Sequence, residues 1–171
     1  MTDNIRVLIS EEQVNERIKE IARQISEDYK GKSVHLICIL KGSVFFSCDL
    51  AKRITLPVTM DFMSVSSYGN EKVSSGRVRI VKDLDESIQD KEVLIIEDII
   101  DSGRTLAYLM EMLSSRAPKS LNICTLLDKP ERRVTDVEVK YVGFEIPDEF
   151  VVGYGLDYQQ NFRNLPFVGV I

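Results

Sequence analysis

The residues best suited to chemistry lie in one stretch, EVLIIEDIIDSGRTLAYLMEML. Residues 93–96 form a continuous apolar run that is typical of a strand buried on both faces, and two acids, Glu97 and Asp98, follow it. The next segment, 101–105, opens a helix whose apolar residues recur at helical spacing. A helix N-terminus offers unpaired N–H groups and a positive dipole to a phosphate. The stretch therefore predicts a phosphate site beside two carboxylates that need a metal ion or hydroxyl donors.

The same pattern has a plainer interpretation. Two acids at the end of a strand also occur in a solvated turn, where Asp101 or Ser102 would cap the helix. Residues 97 and 98 alone do not separate these two interpretations, so the rest of the chain has to decide.

Composition narrows the class of protein. The chain has 171 residues, 44% hydrophobic and 29% charged, which indicates one globular domain with a real core. Its net charge of −5 argues against nucleic acid as the main partner, because a phosphate-binding surface needs a basic excess. The three cysteines form no CxxC pair, and we expect buried free thiols in a reducing compartment. Since MTDNIRVLIS has no apolar leader and no long apolar span occurs, we expect a cytoplasmic protein without a membrane partner.

Strands and helices alternate along the chain, which predicts an α/β fold with a mainly parallel sheet. An amphipathic helix is expected at 10–30, with Ser10 and Gln13 as a capping box. The remaining expected helices are 44–54 and the one opened by 101–105; the expected strands are 34–40, 58–65, 79–81, 93–96, 120–127, 139–144, 150–154 and 168–171. Turns 41–43, 97–105 and 128–133 each follow a strand, so we expect all three to open on one rim of the sheet.

The stretch 92–113 as a whole resembles the ribose-phosphate fingerprint of the type I phosphoribosyltransferases: an apolar strand, two acids, then D-[ST]-G-x-T. Four further features in the same chain order are similar to the hypoxanthine(-guanine) phosphoribosyltransferase family: Leu40-Lys41-Gly42, Ser67-Tyr68 before a polar loop, Lys129 after a strand, and the tail VGFEIPDEFVVGYGLDYQQNFRNLPFV. The resemblance implies a twisted, mainly parallel sheet flanked by helices in one domain, 1–171. It also implies a lid over about 66–78, which includes Ser67 and Tyr68, and a base-binding hood contributed by about 128–171.

The resemblance implies a reaction as well. A 6-oxopurine and phosphoribosyl pyrophosphate would give the nucleoside 5′-monophosphate and pyrophosphate, with Mg²⁺ as cofactor. The expected donor residues are Glu97 and Asp98 for the ribose hydroxyls and the metal, and Asp101, Ser102, Gly103, Arg104 and Thr105 for the 5′-phosphate. For pyrophosphate they are Lys41, Gly42, Arg133 and Arg163. The family likeness also implies a cis Leu40–Lys41 peptide, which the sequence by itself does not establish.

The acceptor residues come from the same resemblance. Lys129 is expected to read the 6-oxo group, because an ammonium group only donates and therefore disfavours the amine of adenine. Phe150 is expected to stack on the purine, Val151 to offer backbone groups, and Asp157 to serve the purine side and a second metal ion. Asp101 is the candidate general base for the purine N7 proton. For Phe150 and Val151 the pattern FVVGY by itself favours ordinary core packing.

Three functions stay open at this point. The first is a hypoxanthine, and also guanine, phosphoribosyltransferase; the second is a xanthine-preferring enzyme on the same core. The third is a regulator of the same fold that binds nucleotide or RNA without turnover. The expected partners are the two small-molecule substrates and further copies of the chain, as a dimer or tetramer, since members of the family are usually oligomers.

Overall fold

The computed structural model describes residues 4–68 and 77–171. Its strands are β1 (Arg6–Ile9), β2 (Val34–Leu40), β3 (Val58–Tyr68), β4 (Arg77–Lys82), β5 (Glu92–Ile100), β6 (Ser120–Asp128), β7 (Tyr141–Glu145), β8 (Val151–Val152) and β9 (Val168–Val170). Its helices are α1 (Glu11–Asp28), α2 (Val44–Ala51) and α3 (Arg104–Ser114), with a 3₁₀ turn at Pro130–Arg132. No helix in these described ranges is long and apolar enough to cross a membrane.

A six-stranded sheet with the order β4-β3-β2-β5-β6-β7 forms the centre of the fold. The strands from β3 to β7 in this order run parallel, and β4 joins the edge antiparallel to β3. The predicted mainly parallel sheet is therefore confirmed. The strands β2, β5 and β6 are neighbours, so the turns that follow them open on the same rim.

Helices cover both faces of this sheet. Leu36 and Leu94 pack with α1 and α2 on one face, while Ile37 and Ile95 pack with α3 on the other. Successive residues of a strand point to opposite faces, so a strand covered on both sides must be apolar throughout. The apolar runs 36–40 of β2 and 93–96 of β5 meet this requirement, and the buried His35 of β2 has a polar partner, with its Nδ1 2.7 Å from Thr59 Oγ1.

Helix α1 begins as predicted. Ser10 Oγ accepts a hydrogen bond from the Gln13 backbone N–H at 3.1 Å, and Gln13 Oε1 accepts from the Ser10 N–H at 2.9 Å. This reciprocal capping box satisfies two donors that the first turn would leave unpaired. The face that packs on the sheet carries Val14, Ile18, Ile21, Ala22 and Ile25, as expected from their spacing.

A second, small sheet was not predicted. It has the order β1-β9-β8 and joins the two ends of the described chain, with Arg6 opposite Val170. The strand expected at 150–154 is reduced to β8, because Gly153 and Gly155 adopt φ of 95° and 99° and turn the chain. The small sheet places the tail residues 153–165 next to the rim of the large one.

Several predicted boundaries were wrong. Strand β5 does not stop before Glu97 but continues to Ile100, and β3 continues to Tyr68, so residues 66–68 belong to a strand and not to a loop. The rest of the predicted lid up to residue 76, and the side chains of Ser67 and Tyr68, lie outside the described residues. Cys38 and Cys124 are buried free thiols as expected, whereas Cys48 is exposed.

Candidate active site

A cavity of about 170 Å³ lies at the point where β5 ends and α3 begins. Its lining includes Glu97, Asp98 and four residues of the segment Asp101–Thr105, all but Arg104. This segment is called the phosphate turn here, after the ligand that the sequence predicts for it. Gly103 is the N-cap of α3 with φ of 83°, a conformation that favours glycine, and Ser102 Oγ accepts from the Arg104 N–H at 3.3 Å. The expected capping by Ser102 is therefore present through its side chain, although Gly103 occupies the N-cap position.

Glu97 and Asp98 are adjacent acids in a poorly solvated place. Burial raises the pKa of Glu97 well above its usual range, and the neighbouring Asp98 charge raises it further. Burial also raises the pKa of Asp98. Glu97 Oε1 accepts from the Asp98 N–H at 3.0 Å, and Asp98 Oδ1 accepts from the Ile99 N–H at 2.6 Å. Two crowded carboxylates favour a cation or hydroxyl donors between them.

The turn after β2 lies against these acids. The Leu40–Lys41 peptide is cis, as the family likeness implied. A Cβ atom on Gly42 would overlap the Asp98 carboxylate, so only glycine lets this turn approach so closely. A Cβ atom on Gly155 would in turn overlap the Gly42 carbonyl, which places the tail segment directly against the turn.

Two cations predicted for pyrophosphate share one acceptor that the sequence did not point to. Gln160 Oε1 accepts from Lys41 Nζ at 3.3 Å and from Arg163 Nη2 at 3.2 Å. Asp157 pairs with Arg163 at 3.0 Å and accepts from the Gln160 N–H at 2.7 Å. The structure thus brings Lys41 and Arg163 together, 119 and 3 residues from Gln160 along the chain.

Arg133 lies elsewhere. Its Nη2 pairs with Asp128, and its Nε donates to the Asp101 carbonyl at 3.3 Å. Within the described ranges, none of the acceptors that it bonds is one that Lys41 or Arg163 also bonds. Arg133 is therefore next to the phosphate turn, and its predicted contact with pyrophosphate stays a prediction.

The residues expected to read the purine lie across the rim. Lys129 is 7% exposed, and its Nζ is 3.9 Å from Asp148 Oδ1. Arg132 is 3.7 Å from Asp148 and 3.7 Å from Asp101, whose side chain is 52% exposed. This series of charges connects the phosphate turn with Lys129. The sequence predicted that the charged loop 128–133 lies at the rim, but it did not indicate Arg132 and Asp148 as members of the site.

Phe150 is 55% exposed, so the interpretation that it is a core residue is wrong. Its ring meets that of Tyr158 edge to face, with 5.8 Å between the centroids. Val151 is buried in β8, as core packing would require. An exposed aromatic ring suits stacking on a flat ligand, and a buried ammonium group suits a carbonyl oxygen.

Glu97 and Asp98 offer carboxylate oxygens that could hold a metal ion. The described residues contain no group of three or more His, Cys, Asp and Glu side chains that could hold a metal ion. Mg²⁺ commonly takes one or two protein carboxylates and keeps waters or phosphate oxygens as its other ligands. Glu97 and Asp98 meet that limited need, whereas Asp157 is already paired with Arg163.

Comparison with known proteins settles the family. A sequence model described as the phosphoribosyl transferase domain matches residues 10–159. The chain belongs to the phosphoribosyltransferase family. The hypoxanthine-guanine phosphoribosyltransferase of Bacillus subtilis is 52% identical over 166 residues, which cover 97% of this chain and 92% of that protein. The predicted family and fold class are confirmed.

Longer relatives and solved structures agree. The bifunctional protein TilS/HprT of Listeria monocytogenes is 51% identical over 97% of this phosphoribosyltransferase chain, which spans 26% of that relative's length. The crystal structure of a hypoxanthine phosphoribosyltransferase from Staphylococcus aureus superposes with a TM-score of 0.94 at 53% identity. It covers 97% of this chain and 90% of the other.

Proposed function

We propose that this chain is a purine-salvage enzyme that transfers the 5-phosphoribosyl group from phosphoribosyl pyrophosphate to hypoxanthine, and also to guanine. The products are inosine or guanosine 5′-monophosphate and pyrophosphate. The observation that carries the proposal is that a phosphate turn lies beside the buried Glu97 and the half-buried Asp98, and that Arg132 and Asp148 connect this turn to the buried Lys129. Named relatives at about 50% identity over nearly the whole chain support it.

The donor would be held from three directions. Backbone N–H groups and hydroxyls of the phosphate turn suit a 5′-phosphate at the start of α3. Glu97 and Asp98 would accept from the ribose hydroxyls and hold Mg²⁺. Lys41, Gly42 and Arg163 would face pyrophosphate, and Asp157 would bind a second ion only on release from its ion pair with Arg163. When bound, Mg²⁺ would offset the repulsion between the carboxylates and the phosphates.

The chemical step is a substitution at the anomeric carbon. The bond from C1′ to the pyrophosphate oxygen breaks, the bond from C1′ to purine N9 forms, and the electron pair leaves with pyrophosphate. A sugar with oxocarbenium character forms between them, as in glycoside hydrolysis. Asp101 takes the proton that leaves N7, so that N9 becomes a better nucleophile. Closure by Ser67 and Tyr68 would keep water from the sugar cation.

The acceptor would be chosen by Lys129. Its ammonium group donates to O6 of hypoxanthine or guanine, while Phe150 stacks on the ring and Val151 offers backbone groups to its edge. Adenine presents an amine instead, which leaves a buried donor unpaired and costs about 1–3 kcal/mol. A 6-oxopurine is therefore the preferred substrate.

A spectrophotometric assay with phosphoribosyl pyrophosphate, Mg²⁺ and four bases tests the function. Turnover of hypoxanthine above xanthine and adenine is the expected result. If xanthine is turned over faster than hypoxanthine, the enzyme is a xanthine-preferring phosphoribosyltransferase instead. If no nucleotide forms but the chain still binds nucleotide or RNA, the chain is a regulator and not an enzyme.

Replacing Lys129 with alanine tests the reading of the purine. Because the 6-oxo partner is lost, the KM for hypoxanthine should rise about tenfold or more, while the KM for phosphoribosyl pyrophosphate changes little. Lys140→Ala is the matched control, since Lys140 lies over the rings of Tyr29 and Tyr141 instead. An unchanged ratio of hypoxanthine to adenine turnover in Lys129→Ala would count against this role.

The assembly and the location remain proposals. We propose a homo-oligomer, a dimer or tetramer, in the cytoplasm, built from one domain with a lid and a hood. Sedimentation velocity measures the first, and cell fractionation of the native protein measures the second.

A further inference from the structure

The segment that follows β6 lies along the phosphate turn and bonds to its backbone. The N–H groups of Val134 and Thr135 both donate to the Ser102 carbonyl, at 3.0 and 3.1 Å. A Cβ atom on Gly103 would stand 2.9 Å from Arg133 Cδ, so the turn and the segment are in direct contact. The rear of the phosphate turn, away from its cavity, is therefore supported by this segment.

Arg133 is the charged part of that support. Its Nε donates to the Asp101 carbonyl at 3.3 Å, and its Nη2 pairs with Asp128. The two paired side chains are 18% and 11% exposed. A largely desolvated charge pair is costly to break, because the remaining partner stays buried without compensation. Asp128 itself is fixed by the sheet, where it pairs with Ile100 at the end of β5.

These contacts set the direction of the turn's donors. The carbonyl and the N–H of a trans peptide point to opposite sides of the chain. Holding the Asp101 carbonyl therefore fixes the Ser102 N–H, and holding the Ser102 carbonyl fixes the Gly103 N–H. Both N–H groups belong to residues that line the cavity proposed for the 5′-phosphate.

We infer that Arg133, held by Asp128, is a positioning residue that aims the N–H groups of the phosphate turn at the 5′-phosphate, and is not a direct ligand of pyrophosphate. The inference rests on the proposed function for the identity of the phosphate. It assigns Asp128 a part in donor binding that no pattern in the sequence indicated.

Two ligands separate a positioning role from direct contact with pyrophosphate. Inosine 5′-monophosphate carries the 5′-phosphate but no pyrophosphate group, whereas free pyrophosphate carries no 5′-phosphate. A positioning residue affects the affinity for the nucleotide, while a direct ligand of pyrophosphate affects the affinity for pyrophosphate alone.

The test uses Asp128→Asn, Arg133→Lys and the double variant, with both affinities measured by titration calorimetry. Each single variant should lower the affinity for inosine 5′-monophosphate about tenfold and the affinity for pyrophosphate by no more than about twofold. The double variant should lower the nucleotide affinity by no more than about twofold beyond either single variant, because the same ion pair is lost in all three. Arg116→Gln is the matched control. It removes an arginine that bonds Asp83 through two nitrogens, at 2.7 and 2.8 Å, just beyond the end of α3. Its affinities should equal those of the wild type.

Weakened pyrophosphate with intact nucleotide affinity in Arg133→Lys would overturn the inference. Retained or tighter pyrophosphate binding in Asp128→Asn, where Arg133 is released, with intact nucleotide affinity would overturn it too. If Asp128→Asn does not fold, Arg133→Lys carries the test, because it keeps the charge and shortens the reach.

Amide hydrogen exchange gives a readout without any ligand. The N–H groups of Val134 and Thr135, which donate to the Ser102 carbonyl at 3.0 and 3.1 Å, should exchange about tenfold faster in Arg133→Lys and unchanged in Arg116→Gln. Equal exchange in both variants would refute the positioning role. If the wild-type chain makes no nucleotide and Arg133→Lys still shows the accelerated exchange, the proposed function is refuted and the positioning role stands.

Discussion

Asp101 sits at the mouth of the cavity, with a carboxylate that is 52% exposed and 3.7 Å from Arg132. An exposed carboxylate can exchange its proton with solvent between turnovers, as the proposed role of Asp101 as the base requires. Asp101 and the hydroxyl residues after it could be predicted from the sequence, because acids, glycine and threonine at this spacing serve a phosphate at a helix start. Their neighbours could not be predicted in the same way.

We expect Asp101→Asn to lower kcat at least about tenfold, because asparagine keeps the shape but cannot accept the N7 proton. Binding of phosphoribosyl pyrophosphate should stay within about twofold, since the backbone donors of the turn are retained. Steady-state kinetics and titration calorimetry measure the two quantities. Asp85→Asn, at a carboxylate that is 74% exposed and paired with Lys82, is the control. An unchanged kcat in Asp101→Asn would remove it as the base.

Arg132, Asp148, Asp128 and Gln160 show where residue-level prediction stopped. Arg132, Asp148 and Gln160 each meet a partner distant along the chain, and Asp128 meets Arg133 five residues further on. Such pairs have no periodic signature in the sequence. A charged residue in a loop most often faces solvent, and only the folded chain shows which of them meet.

At the scale of elements, the wrong end of β5 is instructive. Glu97 pairs with Thr125 inside the sheet, so a buried strand carries an acid where patterning predicts that it ends. A local rule that breaks in this way is expected at a functional site. The extension of β3 through Ser66 has a different reason, because its antiparallel partner β4 begins at Arg77 and pairs with residues 64–68.

The connector between β4 and β5 is held by one acid. Asp61 is buried in β3, and its carboxylate accepts from the Phe62 N–H at 2.7 Å, Asp85 N–H at 2.8 Å and Glu86 N–H at 3.1 Å. Burial by itself would raise the pKa of Asp61, but these donors and Lys82 outweigh it and hold the pKa below its ordinary value.

We expect Asp61→Asn to lower the free energy of unfolding by about 1–3 kcal/mol at pH 7, because charge-assisted hydrogen bonds are lost. A lowered pKa in the folded state stabilises the fold above the unfolded pKa, and this contribution disappears as the pH falls through the folded value. The difference between variant and wild type should therefore shrink below pH 4, as urea unfolding at several pH values would show. A difference that stays constant with pH would contradict this account, and Asp85→Asn again serves as the exposed control.

The tail segment 153–165 supplies a prediction of its own. Gln160→Ala removes the acceptor shared by Lys41 and Arg163, so these cations lose a common orientation. We expect the affinity for pyrophosphate to fall about three- to tenfold, while that for inosine 5′-monophosphate stays within about twofold. Gln159→Ala is a close control, because Gln159 also has a positive φ but bonds only weakly to Tyr158 at 3.5 Å. Equal affinities in the two variants would show that Gln160 does not position the cations.

At the scale of the molecule, the topology of a parallel sheet predicted which turns lie together better than any single motif did. Turns after parallel strands open on one rim, and this placed 41–43, 97–105 and 128–133 together before their neighbours were known. The order β2-β5-β6 makes them adjacent. What the sequence could not indicate is the small sheet, since the pairing of Arg6 with Val170 depends on residues at opposite ends of the described chain.

The tail segment 153–165, between β8 and β9 of the small sheet, contacts the candidate active site at Gly155. Gly155 donates its N–H to the Arg163 carbonyl at 2.9 Å and accepts from Arg163 Nη1 at 2.7 Å. Its Cα lies against the Gly42 carbonyl, where no side chain has room. The position of the tail relative to the turn after β2 therefore depends on the absence of a Cβ atom.

We expect Gly155→Ala to lower both stability and pyrophosphate affinity, because the added methyl group forces the tail away from Gly42. Gly31→Ala is the matched control: Gly31 has a similar φ of 79°, but a Cβ atom there would meet nothing within 4 Å. The control should show only the cost of a left-handed alanine, about 1–2 kcal/mol in urea unfolding, with unchanged pyrophosphate affinity. Gly155→Ala should exceed that cost and weaken pyrophosphate about tenfold, since Arg163 and Gln160 move with the tail. If the two variants lose the same stability and both keep their affinity, the small sheet does not set the geometry of the rim, and the pyrophosphate side would depend on the turn after β2 alone.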